Sequence, residues 1–377
     1  MPNPPVQFQA SYLPGLNTLR FFAAFFVIVS HLPNSWVSLG YCSTIEDFDR
    51  YFGQLLHRGF SAVEFFFTLS GFLITYLLIQ ENRKTQNISL KDFYIRRVLR
   101  IWPLYFLVMI AGFIILGYLY PLISHKTYLT FSVWEGVLLY TFFLPNLAKS
   151  LWDVGMLAPL WSIGVEEQFY LFWAPLMKLF RKNILPILLI FIALSVTFFA
   201  TFRHFHLSPN LEGFFDSLKF HYMAIGGLFA YITCFYPKEY NASFLAKPIF
   251  QAFVWIWVLY YYIFGIDFKG AEVILLPLMY AFLIMSVAIV SKPLLNIEVK
   301  AFTYLGEISY GLYMYHKLAD YFLRLIYPKL GLHFGGNTGN ILLYSLLQIG
   351  LTILIAHFSY QYFEKYFMNL KRKFQKV

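Results

Sequence analysis

Leu16-Asn17-Thr18-Leu19-Arg20-Phe21-Phe22-Ala23-Ala24-Phe25-Phe26-Val27-Ile28-Val29-Ser30-His31 opens the first long apolar run of the chain, which continues to about residue 38. A helix of that length rises roughly 34 Å, enough to cross about 30 Å of hydrocarbon. Nothing in it alternates apolar with polar, so it reads as a membrane helix and not as a barrel strand. The preceding segment, Met1 to Tyr12, is polar and Pro-containing, and no small-residue cleavage site follows the run. The run therefore reads as a retained helix after a short cytoplasmic segment (1–12), not as a signal peptide.

The pattern repeats outward from this run. Apolar stretches over about 16–38, 58–80, 101–122, 158–180, 184–204, 215–236, 248–266, 271–291, 302–326 and 341–366 predict an all-α polytopic bundle of about ten transmembrane helices. Val133 to Leu147 is also apolar but short and ends near Pro145, which reads as a re-entrant or interfacial piece, an eleventh span being the alternative. The chain is 59% apolar and only 13% charged, more than a soluble domain of 377 residues can hide from water. The whole of 1–377 reads as one membrane domain, with residues 368–377 a basic cytoplasmic tail.

The net charge of +10 does not indicate nucleic acid, because the cations lie in alternate loops. Nineteen of the 29 fall on the side that holds both termini, nine lie in or near the opposite loops, and Lys317 falls within a span. The positive-inside bias then makes both termini cytoplasmic. Cys42 and Cys234 are far apart, lack metal-ligand spacing and fall toward opposite faces, so neither a disulfide nor thiol chemistry is expected, nor a bound metal or cofactor.

Polar side chains within the spans are the functional candidates, because the bilayer makes them costly. Arg20 and His31 lie eleven positions apart, on nearly one helix face and roughly 16 Å apart along the axis. At that depth His31 can accept a proton, or bridge helices by a hydrogen bond. In Trp161-Ser162-Ile163-Gly164-Val165-Glu166-Glu167-Gln168-Phe169-Tyr170, Ser162 and Glu166 share a face and Glu167 points elsewhere. An inward Glu166 can orient a histidine or hold a sugar hydroxyl, whereas Glu167 fits a helix-end charge among headgroups. Arg96, Arg97 and Arg100 precede span three; Arg97 and Arg100 share a face suited to clamping phosphate, although positive-inside anchoring explains the cluster equally. Glu64 precedes Phe65 to Phe72, where Ser70-Gly71 reads as a close helix contact, and Ser309-Tyr310-Gly311-Leu312-Tyr313-Met314-Tyr315-His316 carries a further histidine.

In this order the segments resemble the acyltransferase-3 family of integral membrane acyltransferases, which O-acylate bacterial surface glycans and some small molecules. The resemblance rests on Arg20 with His31, Glu64 to Gly71, Arg97-x-x-Arg100-Ile101-x-Pro103, Trp161-Ser162-x-x-x-Glu166-x-Gln168-Phe169-Tyr170 and Ser309-Tyr310-x-x-Tyr313-x-x-His316. It implies a bacterial inner-membrane enzyme that moves an acyl group, acetyl by default, from acyl-CoA to a hydroxyl of a surface polysaccharide or its lipid-linked precursor. His31, Glu166 and Arg20 would be catalytic: His31 as base or acyl carrier, Glu166 to orient His31 or the acceptor, Arg20 to position the donor or stabilise an oxyanion. Arg97 and Arg100, with Arg96, would bind the donor phosphates; Glu64, Ser70, Trp161, Ser162, Tyr310 and His316 complete the candidates. The partners expected are acyl-CoA, a glycan or other hydroxyl acceptor and the bilayer. Two departures stand out: Lys365-Tyr366 follows Glu364 where many members carry Glu-x-Pro, and no hydrolase-like domain follows the bundle, so transfer is expected from the bundle itself. The competing reading is a transporter or flippase for a glycan or lipid, which also uses buried His, Glu and Arg but commonly shows related halves with broken helices.

Overall fold

The computed structural model describes residues 13–40, 58–125, 128–204, 208–266, 268, 270–331 and 338–374. Cys42, Arg50 and the 1–12 segment lie outside them. Among the described residues all regular structure is helical. Besides the short helices Tyr120–Ser124 and Pro237–Ala242, the α-helices are α1 Leu16–Ser38, α2 Gly59–Thr85, α3 Leu90–Ile114, α4 Val133–Thr141, α5 Pro145–Leu151, α6 Leu160–Leu179, α7 Ile184–His204, α8 Pro209–Ser217, α9 Phe220–Phe235, α10 Pro248–Phe264, α11 Glu272–Ala288, α12 Lys300–Glu307, α13 Ser309–Ile326, α14 Thr338–Ser359 and α15 Lys365–Arg372. π-helical turns at Ile115–Leu119 and Tyr360–Glu364 carry α3 and α14 onward without a break.

Among the described residues six stretches are long and apolar enough to cross a membrane: Leu16–Ser38, Gly59–Thr85, Leu90–Ile123, Ile184–Phe202, Pro209–Phe235 and Gly339–Arg372. The chain is thus an integral membrane protein. α10 and α11 are apolar but shorter. α6 and α13 fall outside the six because they carry the polar residues of interest, among them Glu166 and Glu167 on one and His316, Lys317, Asp320 and Arg324 on the other.

Two boundaries differ from expectation for local reasons. α3 starts at Leu90, a decade earlier than the expected span, because the Ser89 side chain accepts from the Asp92 N–H and caps the helix. Arg96, Arg97 and Arg100 are therefore helical. Residues 365–372, expected in part as a loose tail, form α15, which packs along α3. The 133–147 stretch folds as two short helices broken at Phe142–Leu144, where Phe143 has φ of 57°. At about 1.5 Å per residue neither piece can span hydrocarbon. Gln168 holds the break, its amide donating to the Phe143 carbonyl and the Asn146 Oδ1 at 2.8 and 3.0 Å.

α1 packs against α2, α12 and α13, which makes it the centre of the site. α2 crosses α9 at very short range: a Cβ at Gly71 would sit 1.9 Å from the Met223 carbonyl oxygen, and one at Gly226 2.0 Å from that of Thr68. Without side chains at these two points the backbones touch, the packing that replaces hydrophobic attraction between helices in lipid. Gly71 thus meets its expectation. Ser70 does not share the contact; it turns toward α6.

Candidate active site

Two cavities adjoin inside the bundle, and Val63 and Tyr313 line both. The first, about 210 Å³, lies toward the end of α1 that carries Arg20. Arg20 from α1, Arg97 and Arg100 from α3 and Lys371 from α15 line it, against the single carboxylate of Glu166. Ser70 donates to the Tyr170 hydroxyl, which donates to Glu166 Oε2 at 2.8 Å. Arg97 lies over the Phe93 and Tyr170 rings at 5.8 and 5.9 Å. Tyr310 closes the wall by donating to the Ile101 carbonyl. Four cations around one carboxylate form an anion site, and two of them are guanidiniums one turn apart, suited to phosphate oxygens.

The second cavity, about 260 Å³, holds His31 with His316, Ser30, Asn34, Lys149 and Trp161. The two imidazoles stack, ring centres 5.1 Å apart and planes 17° from parallel. The register behind this pair is set one turn further along both helices. Ser35 donates to Asp320 Oδ1, which also accepts from the Tyr344 hydroxyl at 2.8 Å, while Asp320 Oδ2 pairs with Arg324 at 2.7 Å. Asp320 is 1% exposed, so this contact ties α1 to α13 and α14 out of reach of water. Because α1 and α13 run in parallel, 35 against 320 places 31 against 316.

The α6 motif divides between the cavities by helix geometry. Trp161 stacks on Phe60 at 5.5 Å with the Lys149 Nζ 4.5 Å from its ring centre. Ser162 meets the Tyr313 hydroxyl at 2.7 Å, and that hydroxyl reaches the Pro159 carbonyl at 3.0 Å. Gly164 leaves room for Pro145, whose ring a Cβ would meet at 2.5 Å, and so lets α5 bring Lys149 in.

The geometry places four of the candidates apart from His31. Glu166 does not orient His31; it lies in the first cavity, on Tyr170, and His31 has no hydrogen-bond partner among the described residues. Arg20 likewise lines the first cavity, with Arg97, Arg100 and Lys371, and not the cavity of His31. Arg96 is outside the cavity: 7% exposed, it pairs with Glu81 at 2.8 Å and donates to the Phe374 carbonyl. Glu64 pairs with Lys219 at 3.4 Å in a third cavity with Tyr222 and Tyr261. Glu167 accepts from the Trp102 indole at 3.2 Å, but it lies two turns inside α6 and its other carboxylate oxygen is buried, so it is not the helix-end charge expected.

Sequence reasoning missed Lys371, Lys149 and Asp320, and named Tyr313 only as part of a motif. Lys371 sat in what read as a tail, and Lys149 in a loop count. Asp320 carried a usable signal, since it lies four residues after His316 on the same face and inside a span.

A fold of membrane helices around a cationic cavity and a histidine pair defines the class. Residues 13–358 match the family described as Acyltransferase domain, and the chain belongs to that family. Over 389 residues it is 26% identical to O-acetyltransferase OatA of Staphylococcus aureus (strain NCTC 8325 / PS 47), covering 95% of this chain and 57% of the relative. Peptidoglycan O-acetyltransferase OatA of Listeria monocytogenes is 26% identical over 394 residues, covering 95% of this chain and 56% of its own. The chain thus spans little more than half the length of these relatives. No solved structure matches.

Proposed function

We propose that this protein is a membrane O-acyltransferase that transfers an acyl group, acetyl by default, from acyl-CoA to a hydroxyl of a cell-surface polysaccharide or its lipid-linked precursor. In this reading the bundle has about ten spans, both termini are cytoplasmic and the membrane is the bacterial inner membrane. The observation that carries it is that the cationic cavity and the histidine cavity adjoin at Val63 and Tyr313. Arg97, Arg100, Arg20 and Lys371 hold the donor phosphates on the cytoplasmic side, and the thioester arm passes Val63 and Tyr313 to reach His31. Glu166, anchored through Tyr170, keeps the cationic wall in place. The acceptor enters the second cavity beside Trp161 and Lys149. Family membership and the names of the relatives support an enzyme over the transporter reading.

The test is acyl transfer by His31→Ala. Cells expressing the variant are supplied with labelled acetyl donor and their surface glycan is assayed for label. Loss of transfer by about 100-fold or more is expected for removal of a catalytic histidine; transfer at the wild-type rate overturns the assignment.

A further inference from the structure

His316 is held differently from His31, and the difference has chemical content. Its Nδ1 contacts the Tyr313 carbonyl, one turn back on α13. A carbonyl oxygen can only accept, so Nδ1 carries the proton and Nε2 of the neutral ring carries the lone pair. That Nε2 is buried and has no hydrogen-bond partner among the described residues, and the residue is 0% exposed. An unpaired buried acceptor costs free energy, and a fixed tautomer with an open lone pair is what a general base requires. His316 lines the cavity of His31 and stacks on its ring.

We propose that His316 is the general base for the acceptor hydroxyl while His31 carries the acyl group, a division that rests on the acyltransferase reading above. In the first half-reaction a lone pair of neutral His31 attacks the thioester carbonyl carbon, a C–N bond forms, the C–S bond breaks, and CoA leaves as thiolate. His31 is then an acyl-imidazolium. In the second, the acceptor oxygen attacks the same carbon, its proton passes to His316 Nε2, and the C–N bond breaks to restore neutral His31. His316 afterwards releases its proton to water, which balances the thiolate.

The stacked geometry suits this order. Two cationic rings 5.1 Å apart would repel each other in a low-dielectric site. In the sequence above the pair never carries more than one positive charge: it appears on His31 with the acyl group and moves to His316 as the acyl group leaves. Lys149 lines the same cavity, so a second positive charge there is further disfavoured.

The experiment separates the half-reactions in the full chain, purified into lipid nanodiscs. Acetyl-CoA alone reports donor chemistry as one equivalent of thiol released; adding a soluble tetrasaccharide of N-acetylglucosamine and N-acetylmuramic acid, with radiolabelled acetyl-CoA, reports transfer. His316→Asn keeps an amide donor for the Tyr313 carbonyl. Expected are thiol release close to wild type and transfer reduced about 100-fold or more. Transfer at the wild-type rate overturns the proposal, as does equal loss of both half-reactions. Should the variant fail to fold, wild-type protein in heavy water decides: a solvent isotope effect of about twofold on transfer, with none on thiol release, is expected of a base acting only on the acceptor. Equal effects on both steps, or none on transfer, overturn it. Wild-type protein that releases thiol only when the acceptor is present overturns the acyl-carrier proposal, whereas no transfer of label from acetyl-CoA under either condition would sink the acyl-CoA reading itself.

Discussion

Replacing Arg96 and Arg97 one at a time by Gln separates two neighbours that read alike in the sequence. Arg96 is buried and paired with Glu81, which is 2% exposed and whose carboxylate, among the described residues, otherwise accepts only from the Ser89 N–H. Breaking a buried ion pair from one side strands the other charge and costs about 3–5 kcal/mol. Arg96→Gln should therefore lower the temperature at which the protein aggregates from detergent, while its KM for acetyl-CoA stays near wild type. Arg97 makes no ion pair among the described residues; it faces the cationic cavity across Tyr170. A charge-assisted hydrogen bond to a phosphate contributes about 1.5–3 kcal/mol, so Arg97→Gln should raise KM roughly tenfold to a hundredfold. With stability intact and kcat little changed, that pattern is lost ground-state binding of the donor, provided that acetyl-CoA leaves faster than it reacts. The assay is initial-rate kinetics in nanodiscs over a range of acetyl-CoA, with thermal aggregation followed in parallel. The reverse pattern, with Arg96→Gln raising KM and Arg97→Gln leaving it unchanged, would refute the assignment of the cavity to the donor.

Asp320→Asn keeps the shape of the contact that registers α1 on α13 but weakens its bond to Arg324. Losing charge assistance costs about 1.5 kcal/mol, and a shift of His31 against His316 should lower kcat about tenfold at unchanged KM; unaltered kcat would exclude a role for this register. Gly226→Ala forces a Cβ to within 2.0 Å of the Thr68 carbonyl oxygen, a backbone atom that cannot swing aside. Overpacking of this kind costs about 1–3 kcal/mol or more, so folded yield in detergent should fall sharply, and a normal yield would refute backbone contact between α2 and α9.

Much of the site was legible because a bilayer makes polar side chains conspicuous. Arg20, His31, Arg97, Arg100, Glu166 and His316 all line one of the two adjoining cavities. What could not be read was which of them meet. Arg96, Arg97 and Arg100 differ in the sequence only by rotation about one helix, and Glu81, the residue that takes Arg96 away, lies on another. Lys371 enters the first cavity because α14 continues through a π-helical turn into α15, a register that apolar periodicity does not reveal.

The sequence alone determined that the chain crosses a membrane, as helices, with a small set of buried polar residues. Lipid leaves no other partner for the backbone and no cheap place for a charge, so composition and length suffice for that. Only the tertiary structure decided that Glu166 belongs with the arginines and not with His31, that His31 stacks on a histidine 285 positions away, and that Asp320 sets the register between them. Lipid is as apolar as leucine, so hydrophobicity does not say which face of a membrane helix turns inward; close backbone contact at Gly71 and Gly226 and a few buried hydrogen bonds make that choice.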